Sequence, residues 1–354
     1  MEYLALRCIE TSNDQQFEAN LISELQPIRQ FVLAISVYHI LRTGIYETLS
    51  EEGPMTASAL SSKLSLDPDR LDGFLKYLRN ENLLVEKRGA YDLSGKCQTL
   101  ATYKAWYEML IGGYAETFLQ IGNRLKIGSE SCTRNAALVG SGSCGISHFD
   151  AIPLTRSLMN EVEGGCHRLL DLGCGNGAYL AEFCKALPHI MACGVEPDEG
   201  GFREAQNLIE KAGLSHRVQI RHADAVSFLD SDFEFDPDFI VLGFVLHEIL
   251  GQLGRNGVVN FLEKIIKRFP TINIIVIEVD DKIDDPATMK HGLALAYYNP
   301  YYLLHYFTRQ KLAPDIVWHE IFHDAGLRVK KKYTTCQNVD STHLEIGYLL
   351  AISN

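Results

Sequence analysis

The chain has 354 residues, of which 46% are hydrophobic and 22% charged, a composition typical of soluble globular proteins and a length sufficient for two domains. Its formal net charge of -12 argues against a nucleic-acid partner, because phosphate binding requires a concentrated basic surface. No apolar run approaches the ~20 residues that span a bilayer and the N-terminus, MEYLALRCIETSNDQQ, lacks the pattern of a signal peptide, so we expect a soluble, cytoplasmic protein without a membrane partner.

The cysteines are scattered along the chain. They are nine in number, and no two of them form a C-x-x-C pair. A disulfide framework or a zinc ribbon would need a more regular spacing. We therefore expect free thiols in a reducing compartment.

The first predicted element is a long helical segment. Apolar positions recur at helical spacing through residues 17–50, with few polar residues in the middle. A helix that is apolar on most sides must be buried, and in a small domain it is often buried against a second copy of itself. We therefore predict that the protein is a homodimer.

A helix, a second helix and a hairpin are predicted between residues 56 and 95. Thr56 is suited to cap the first helix, Asp67 and Pro68 to open the second, and Gly89 to form the hairpin turn. This order is the winged-helix pattern, which often binds DNA. Because acidic and basic side chains balance on the second helix, a dimerisation or lid domain is favoured. A ligand-sensing DNA-binding regulator is the alternative.

The second half of the chain has a different pattern. Residues 127–150 are rich in glycine and serine, which indicates a loop or a flexible boundary. From residue 167 apolar strands alternate with amphipathic helices, which predicts an α/β fold with a doubly wound parallel sheet. We predict a helical winged-helix dimerisation domain over residues 1–150 and an α/β domain over residues 151–354.

A glycine-rich turn after the first strand of this domain indicates a ligand site. The stretch LLDLGCGNGAYL places Asp171 two residues before Gly173, with Gly175 and Gly177 at the next alternate positions. Glycines there let the backbone come close to a ligand at the carboxyl end of the strand. The spacing differs from the G-x-G-x-x-G of dinucleotide sites, so an NAD-binding domain is the weaker alternative.

Two acidic residues follow the next two predicted strands. Glu196 ends the second strand, where a carboxylate can accept hydrogen bonds from both hydroxyls of a ribose. Asp224 follows the third strand, within reach of an adenine amino group. These positions indicate a nucleoside ligand.

The glycine-rich motif and the two acids together resemble the class I S-adenosylmethionine-dependent methyltransferases, over residues 167–350. The resemblance implies a Rossmann-like, mostly parallel sheet with one antiparallel strand near its edge, and S-adenosylmethionine as the cofactor. It also implies which residues bind that cofactor. Asp171, Gly173 and Gly175 would line the methionine part, Glu196 the ribose and Asp224 the adenine.

His247 and Glu248 end the apolar run DFIVLGFVLHEIL, which is predicted as the fourth strand. The carboxyl end of that strand faces the cofactor in a doubly wound sheet, so both are candidate catalytic residues. Their position is similar to that of the histidine–acid pair of winged-helix O-methyltransferases. That resemblance implies a metal-free reaction in which His247 is the general base and Glu248 orients it. A histidine pKa of about 6.5 suits such a proton transfer.

A metal site is the other chemistry open to this pair. His305 lies in the aromatic segment NPYYLLHYFT, after the predicted fifth strand and on the same side of the sheet. His247, Glu248 and His305 would supply two imidazoles and a carboxylate, the facial set that leaves open positions on a divalent or non-haem ion such as iron or zinc. Neighbouring residues of a strand point to opposite faces, so the pair can share a metal only if the strand ends at Leu246.

This second pattern resembles the α-keto acid C-methyltransferases, over nearly the whole chain and most particularly in NPYYLLHYFT. The resemblance implies methylation of the β-carbon of a 2-oxo acid such as phenylpyruvate or 2-ketoarginine, with a metal held by the two histidines and the acid. A metal that chelates the 2-oxo and carboxylate oxygens stabilises the enolate that carbon methylation requires. Glu278 and Asp280 are reserve ligands. The tyrosines of residues 297–306 favour a 2-ketoarginine-like substrate, because guanidinium groups stack on aromatic faces.

Overall fold

The computed structural model describes residues 15–353, which form two compact units that divide between Tyr107 and Glu108. Residues 1–14, on which the prediction about a signal peptide depends, lie outside the described residues, as does Cys8. The eight cysteines among residues 15–353 are free thiols. No helix among residues 15–353 is both long and apolar enough to cross a membrane.

The first unit consists of helices and a small antiparallel sheet with the strand order β1-β3-β2. Its elements are α1 (Gln15–Glu24), α2 (Gln26–Arg42), α3 (Ile45–Glu52), β1 (Met55–Thr56), α4 (Ala57–Leu64), α5 (Pro68–Asn80), β2 (Leu84–Lys87), β3 (Ala90–Leu93), α6 (Gly95–Ala101) and α7 (Lys104–Tyr107). The predicted helix, helix and hairpin are α4, α5 and β2–β3. Thr56 and Asp67 cap the two helices as predicted, accepting hydrogen bonds from Ala59 N and Arg70 N at 3.2 and 2.9 Å.

The N-terminal helices of this unit carry exposed apolar side chains. Within a single chain the first part of residues 17–50 is exposed, and its burial against a second copy stays a prediction. Seven large apolar side chains are 42–61% exposed: Phe17, Leu21, Ile22, Leu25, Ile28, Phe31 and Val32. Burial begins near Ser36, and from there α2 contributes Val37, Ile40 and Leu41 to the core of the unit.

The second unit is built on a seven-stranded sheet with the order β6-β5-β4-β7-β8-β10-β9. The strands are β4 (Arg168–Leu172), β5 (Met191–Glu196), β6 (Val218–His222), β7 (Phe239–Gly243), β8 (Asn273–Val279), β9 (Leu327–Thr334) and β10 (Glu345–Ile352). Strands β4 to β8 pair in parallel, whereas β10 runs antiparallel to both of its neighbours. The predicted α/β fold with one antiparallel strand near the edge is confirmed.

Helices cover both faces of this sheet. The helices of the unit are α8 (Ala115–Arg124), α9 (Ala136–Ser147), α10 (Ala151–Met159), α11 (Ala178–Ala186), α12 (Glu199–Lys211), α13 (Ala225–Phe228), α14 (Leu246–Arg268), α15 (Asn299–His305) and α16 (Asp315–Asp324), with π-helical turns at Glu108–Gly113 and Ala294–Tyr298. Those that pack on the strands are α10 to α14 and α16. Neighbouring residues of β7 contribute to opposite layers, Ile240 to one apolar cluster and Val241 to the other. The strands are therefore buried on both sides, as in doubly wound folds.

The two compact units meet earlier in the chain than the predicted boundary at residue 150. Residues 108–150 belong to the second unit. Half of the segment rich in small residues, 127–150, is a packed helix, α9, capped by Asn135. At Gly142 an added Cβ would lie 2.5 Å from the backbone nitrogen of Met109. The small residues therefore permit close packing between α9 and the π-helical turn at Glu108–Gly113 rather than flexibility.

The fourth predicted strand is shorter than expected. Strand β7 ends at Gly243, and His247 and Glu248 lie in the first turn of α14. Phe244, between the two elements, has a φ of 57°, a left-handed conformation that is rare for a bulky residue. The chain therefore turns before the histidine, and the two side chains need not point to opposite faces.

Candidate active site

The glycine-rich turn lies between β4 and α11, at the carboxyl end of the sheet. Gly173 and Gly175 have φ values of 88° and 54°, in the region that favours glycine. The N–H groups of Gly173 and Cys174 donate to the carbonyl oxygen of Val195 at 2.8 and 3.0 Å, which fixes the turn to β5. A Cβ on Gly173 would lie 2.7 Å from Val245 Cγ2. Backbone conformation and crowding both require glycine here.

Asp171 and Glu196 are buried acids next to this turn. Glu196 accepts hydrogen bonds from the backbone N–H groups of Gly175 and Asp198, both at 2.9 Å. Asp171 is only 4% exposed, and its Oδ2 has no hydrogen-bond partner. Burial, assisted by the charge of Glu196, raises the pKa of Asp171 to about 7. A buried carboxylate without a partner fits a site that receives a cationic or hydrogen-donating ligand.

Asp224 follows β6, where the sequence predicted it. Its Oδ1 accepts from the N–H groups of Val226 and Ser227 at 3.0 and 2.8 Å, which caps α13. Although partial burial opposes ionisation, these bonds hold the pKa of Asp224 below its usual value. A small cavity lies between β5, α9 and the glycine-rich turn; its lining includes Ala137, Ser141, Gly175, Asn176, Glu196 and Gly201.

His247 is held by a glutamate on the neighbouring strand. The backbone N–H of His247 donates to Glu278 Oε1 at 3.1 Å, and its Nδ1 lies 2.8 Å from Glu278 Oε2. Both side chains are almost completely buried. Burial alone would lower the pKa of His247, but the charge of Glu278 outweighs it and the pKa is raised. Glu278 thus orients the imidazole through Nδ1, a role that the sequence had indicated for Glu248.

His305 lies beside His247, with the two ring centroids 5.3 Å apart. Its Nδ1 is 2.7 Å from the carbonyl oxygen of Tyr301, which makes Nδ1 the protonated nitrogen. Its Nε2 is buried without a hydrogen-bond partner. Burial, and then the proximity of His247, hold the pKa of His305 well below its usual value. His305 therefore offers an unshared electron pair toward its surroundings at neutral pH.

Glu248 is held on the other side of His247. Its Oε1 is 4.0 Å from His247 Nε2, but it accepts hydrogen bonds from Arg134 Nη2 at 2.6 Å and Gln310 Nε2 at 2.7 Å. Gln310 Nε2 also lies 3.2 Å from His247 Nε2. Tyr114 links the two partners through its hydroxyl, which contacts Arg134 Nη1 and Gln310 Oε1 at 3.2 Å each. Glu248 thus belongs to a polar network around His247.

Sequence reasoning missed part of this arrangement. Glu278 was predicted only as a reserve ligand; it orients His247, and its place at the tip of a strand was the available signal. Arg134 and Gln310 were not predicted at all, because each contacts Glu248 across a long stretch of sequence that carries no motif. Asp280, the other reserve ligand, accepts from Asp315 N at 2.8 Å.

Comparisons with known proteins identify the class. A family model described as a methyltransferase domain matches residues 169–268. The chain is similar to a mitomycin 7-O-methyltransferase of known structure, with a TM-score of 0.67 and 16% identity, over 96% of this chain and 100% of the other; this likeness concerns the fold.

Two curated relatives are more specific. A 2-ketoarginine methyltransferase from Streptomyces arginensis is 41% identical over 95% of this chain and 97% of its own length. An indolepyruvate C-methyltransferase from Streptomyces griseus is 25% identical over 59% of this chain and 61% of its own. The chain therefore belongs to the class I S-adenosylmethionine-dependent methyltransferases, and the predicted resemblance to the α-keto acid C-methyltransferases is confirmed.

Proposed function

We propose that this enzyme transfers the methyl group of S-adenosylmethionine to the β-carbon of a 2-oxo acid, with a 2-ketoarginine-like substrate favoured. The observation that most supports this proposal is the pair formed by His247 and His305. Their ring centroids lie 5.3 Å apart at the carboxyl end of the sheet. Each ring is anchored through Nδ1, so Nε2 is left for chemistry. The 2-ketoarginine methyltransferase relative supports the substrate class.

The two histidines suit the formation of an enolate. A carbon next to a ketone loses its proton readily only if negative charge on the oxygen is stabilised. The rings of His247 and His305 lie side by side in one buried place, each anchored through Nδ1. His305 is neutral, with an electron pair on its partnerless Nε2. Two imidazole Nε2 atoms of this kind can hold a cation beside that oxygen.

S-adenosylmethionine fits the residues around the glycine-rich turn. We assign the methionine part to Asp171, Gly173 and Gly175, the ribose to Glu196 and the adenine to Asp224. The partnerless Oδ2 of Asp171 supports the assignment, because the amino group of the methionine part is a cation that needs such a partner. The cavity next to Gly175 and Glu196 supports it further.

We further propose that His247, His305 and Glu248 hold a divalent or non-haem metal ion such as iron or zinc. In residues 15–353 no three His, Cys, Asp or Glu side chains converge as a metal-binding group. The two imidazoles nevertheless fit, because a hydrogen bond at Nδ1 is the usual support of a ligating Nε2. Glu248 Oε1 lies 4.0 Å from His247 Nε2, wider than the ~3 Å between neighbouring ligands of a facial set at ~2.1 Å each, so Glu248 would have to move toward His247 to share the ion. When bound, the ion would supply Lewis-acid stabilisation of the enolate.

A metal-free O-methyltransferase is the second candidate. It is favoured by the Glu278–His247 pair, since a carboxylate on Nδ1 leaves Nε2 as a general base. In this alternative His247 deprotonates a hydroxyl, and His305 is a packed side chain. The two candidates therefore differ in the role of His305.

The test is methyl transfer from labelled S-adenosylmethionine to a panel of 2-oxo acids and phenols, with and without a chelator. We expect carbon methylation of 2-oxo acids, loss of transfer with the chelator, and loss of bound metal in His305→Ala. Transfer to 2-oxo acids that a chelator leaves unchanged would remove the metal from the proposal. Transfer to phenols alone would replace the proposal with the alternative.

A further inference from the structure

Three buried carboxyl groups lie in the second unit away from the two histidines. Asp150 precedes α10, Asp340 lies in the loop before β10, and Glu345 begins β10; they are 8%, 5% and 4% exposed. Among the described residues, no lysine, arginine or histidine forms an ion pair with any of them. Buried carboxylates without a cation are costly, so this cluster needs an explanation.

Asp340 is satisfied by its neighbours. Its Oδ1 accepts from the N–H and the hydroxyl of Thr342, and its Oδ2 accepts from the Tyr298 hydroxyl. This carboxylate has hydrogen-bond donors on both oxygens. It therefore has a structural role, tying the loop before β10 to the π-helical turn at Ala294–Tyr298.

Asp150 and Glu345 are not satisfied in the same way. Within the described residues their donors are the N–H of Ala151 for Asp150 and the hydroxyl of Thr335, at 3.0 Å, for Glu345. The two residues lie at the starts of α10 and β10, which pack against each other. Burial raises the pKa of Asp150 to about 7 and holds that of Glu345 well above its usual value. Burial thus disfavours the ionised carboxyl groups, and a bound cation would favour them.

A second observation points to a ligand at this pair. The Tyr179 side chain is only 7% exposed, and its hydroxyl is buried without a hydrogen-bond partner. Tyr179 packs in the same apolar cluster as Ala151, which follows Asp150, and Ile277 of β8. Glu345 pairs with Val279 at the end of that strand, so Tyr179 and the two carboxyl groups lie at the same end of the sheet. The same hydroxyl lies 3.7 Å from where a Cβ on Gly243 would be, at the end of β7. Tyr179 therefore connects the pair to the catalytic end of the sheet.

A row of rings also runs from the pair to the histidines. Tyr297, Tyr301 and His305 follow one another at intervals of four residues, with ring centroids 5.9 and 4.3 Å apart. At the other end of the row, Tyr298 follows Tyr297 and its hydroxyl donates to Asp340, one of the three buried carboxyl groups. The two steps of this row together span at most about 10 Å. An extended guanidino 2-oxo acid is roughly 8 Å long, which is comparable with the length of the row.

We propose that Asp150 and Glu345, flanked by Tyr179 and Tyr297, form the subsite for the positively charged end of the substrate side chain, a guanidinium group. This inference rests on the proposed function, and it adds the residues that select among 2-oxo acids. Two carboxylates accept several N–H groups of one planar guanidinium, while a tyrosine ring stacks on its face. An apolar side chain would leave the carboxyl pair uncompensated, so the subsite disfavours aromatic 2-oxo acids.

The test compares 2-oxo-5-guanidinopentanoate with 2-oxo-5-ureidopentanoate, which has the same shape but no charge. The readout is the ratio of their kcat/KM values. We expect the wild type to prefer the cationic acid, and Asp150→Asn and Glu345→Gln each to lower the ratio by about 30-fold, because each breaks a buried charge pair. Asn keeps the hydrogen bond that caps α10, so Asp150→Asn preserves the local fold.

Asp340→Asn is the matched control, since it removes a nearby buried carboxylate whose oxygens are already occupied. It should leave the ratio within about threefold of the wild type. Equal use of both acids by the wild type, or a ratio unchanged in both variants, would overturn the subsite while the proposed function stands. Failure of the wild type to methylate any 2-oxo acid would instead overturn the proposed function itself.

Discussion

At the scale of single residues, the cofactor motif could be predicted from the sequence because its information is local. Asp171 and the glycines after it lie within a few positions of one another, and their spacing alone indicates a strand, a tight turn and a ligand. The contacts around Glu248 could not be predicted. Arg134 and Gln310 reach it from positions 114 and 62 residues away, and such contacts exist only after the sheet has formed.

We expect Asp171, in the proposed cofactor site, to make cofactor binding dependent on pH. Its raised pKa of about 7 means that the carboxyl group is neutral below this pH and ionised above it. S-adenosylmethionine carries a permanent sulfonium charge, which the ionised form attracts. We therefore expect affinity to rise with pH between about 6 and 7.5, by up to about tenfold. Isothermal titration calorimetry at several pH values measures this change.

Two variants test whether the ionisation of Asp171 causes this pH dependence of the affinity. Asp171→Asn should abolish the rise, because an amide does not ionise in this range. Asp224→Asn should weaken binding by a similar factor at every pH, because the lowered pKa of Asp224 keeps it ionised throughout. A rise of the same size in Asp171→Asn would assign the pH dependence to another group.

At the scale of elements, the strands were predicted well and one boundary was not. Apolar residues continue from β7 into α14, and the run DFIVLGFVLHEIL was therefore predicted as a single strand. Yet Leu246, Ile249 and Leu250 are buried at positions i, i+3 and i+4, which is the spacing of a helix. Within this one apolar run, the spacing of buried residues changes from that of a strand to that of a helix. This change marks the turn just before His247.

Helix α9 provides a prediction about packing. A Cβ at Gly142 would lie 2.5 Å from Met109 N and 2.8 Å from Met109 Cα, and the backbone cannot move away as a flexible side chain can. We expect Gly142→Ala to reduce the free energy of unfolding by about 1–3 kcal/mol through overpacking. Denaturation in urea, followed by circular dichroism, measures the change.

Gly140→Ala in the same helix is the control. No atom lies within 4 Å of a Cβ at this position, so alanine should increase the stability by about 0.5–1 kcal/mol through its higher helix propensity. Equal effects of the two substitutions would mean that helix propensity, rather than contact with Met109, decides the outcome at Gly142.

At the scale of the whole molecule, the sequence predicted a homodimer from apolar periodicity alone. The seven exposed side chains of α1 and α2 are consistent with that prediction, because large apolar side chains grouped on the surface mark interaction sites. A second copy could cover these side chains with its own α1 and α2, in an isologous interface with two-fold symmetry. Such an interface leaves no separate signal in the sequence, because both subunits contribute the same residues to it.

The dimer is tested by placing charges on this surface. We expect the wild type to sediment as a dimer in analytical ultracentrifugation and the double variant Ile28→Asp, Phe31→Asp to sediment as a monomer, because an interface cannot bury unpaired carboxylates. Leu119→Asp, on α8 and 71% exposed, is the control and should sediment like the wild type. A wild type that is monomeric at micromolar concentration would refute the homodimer. The apolar surface of α1 and α2 would then belong to another contact.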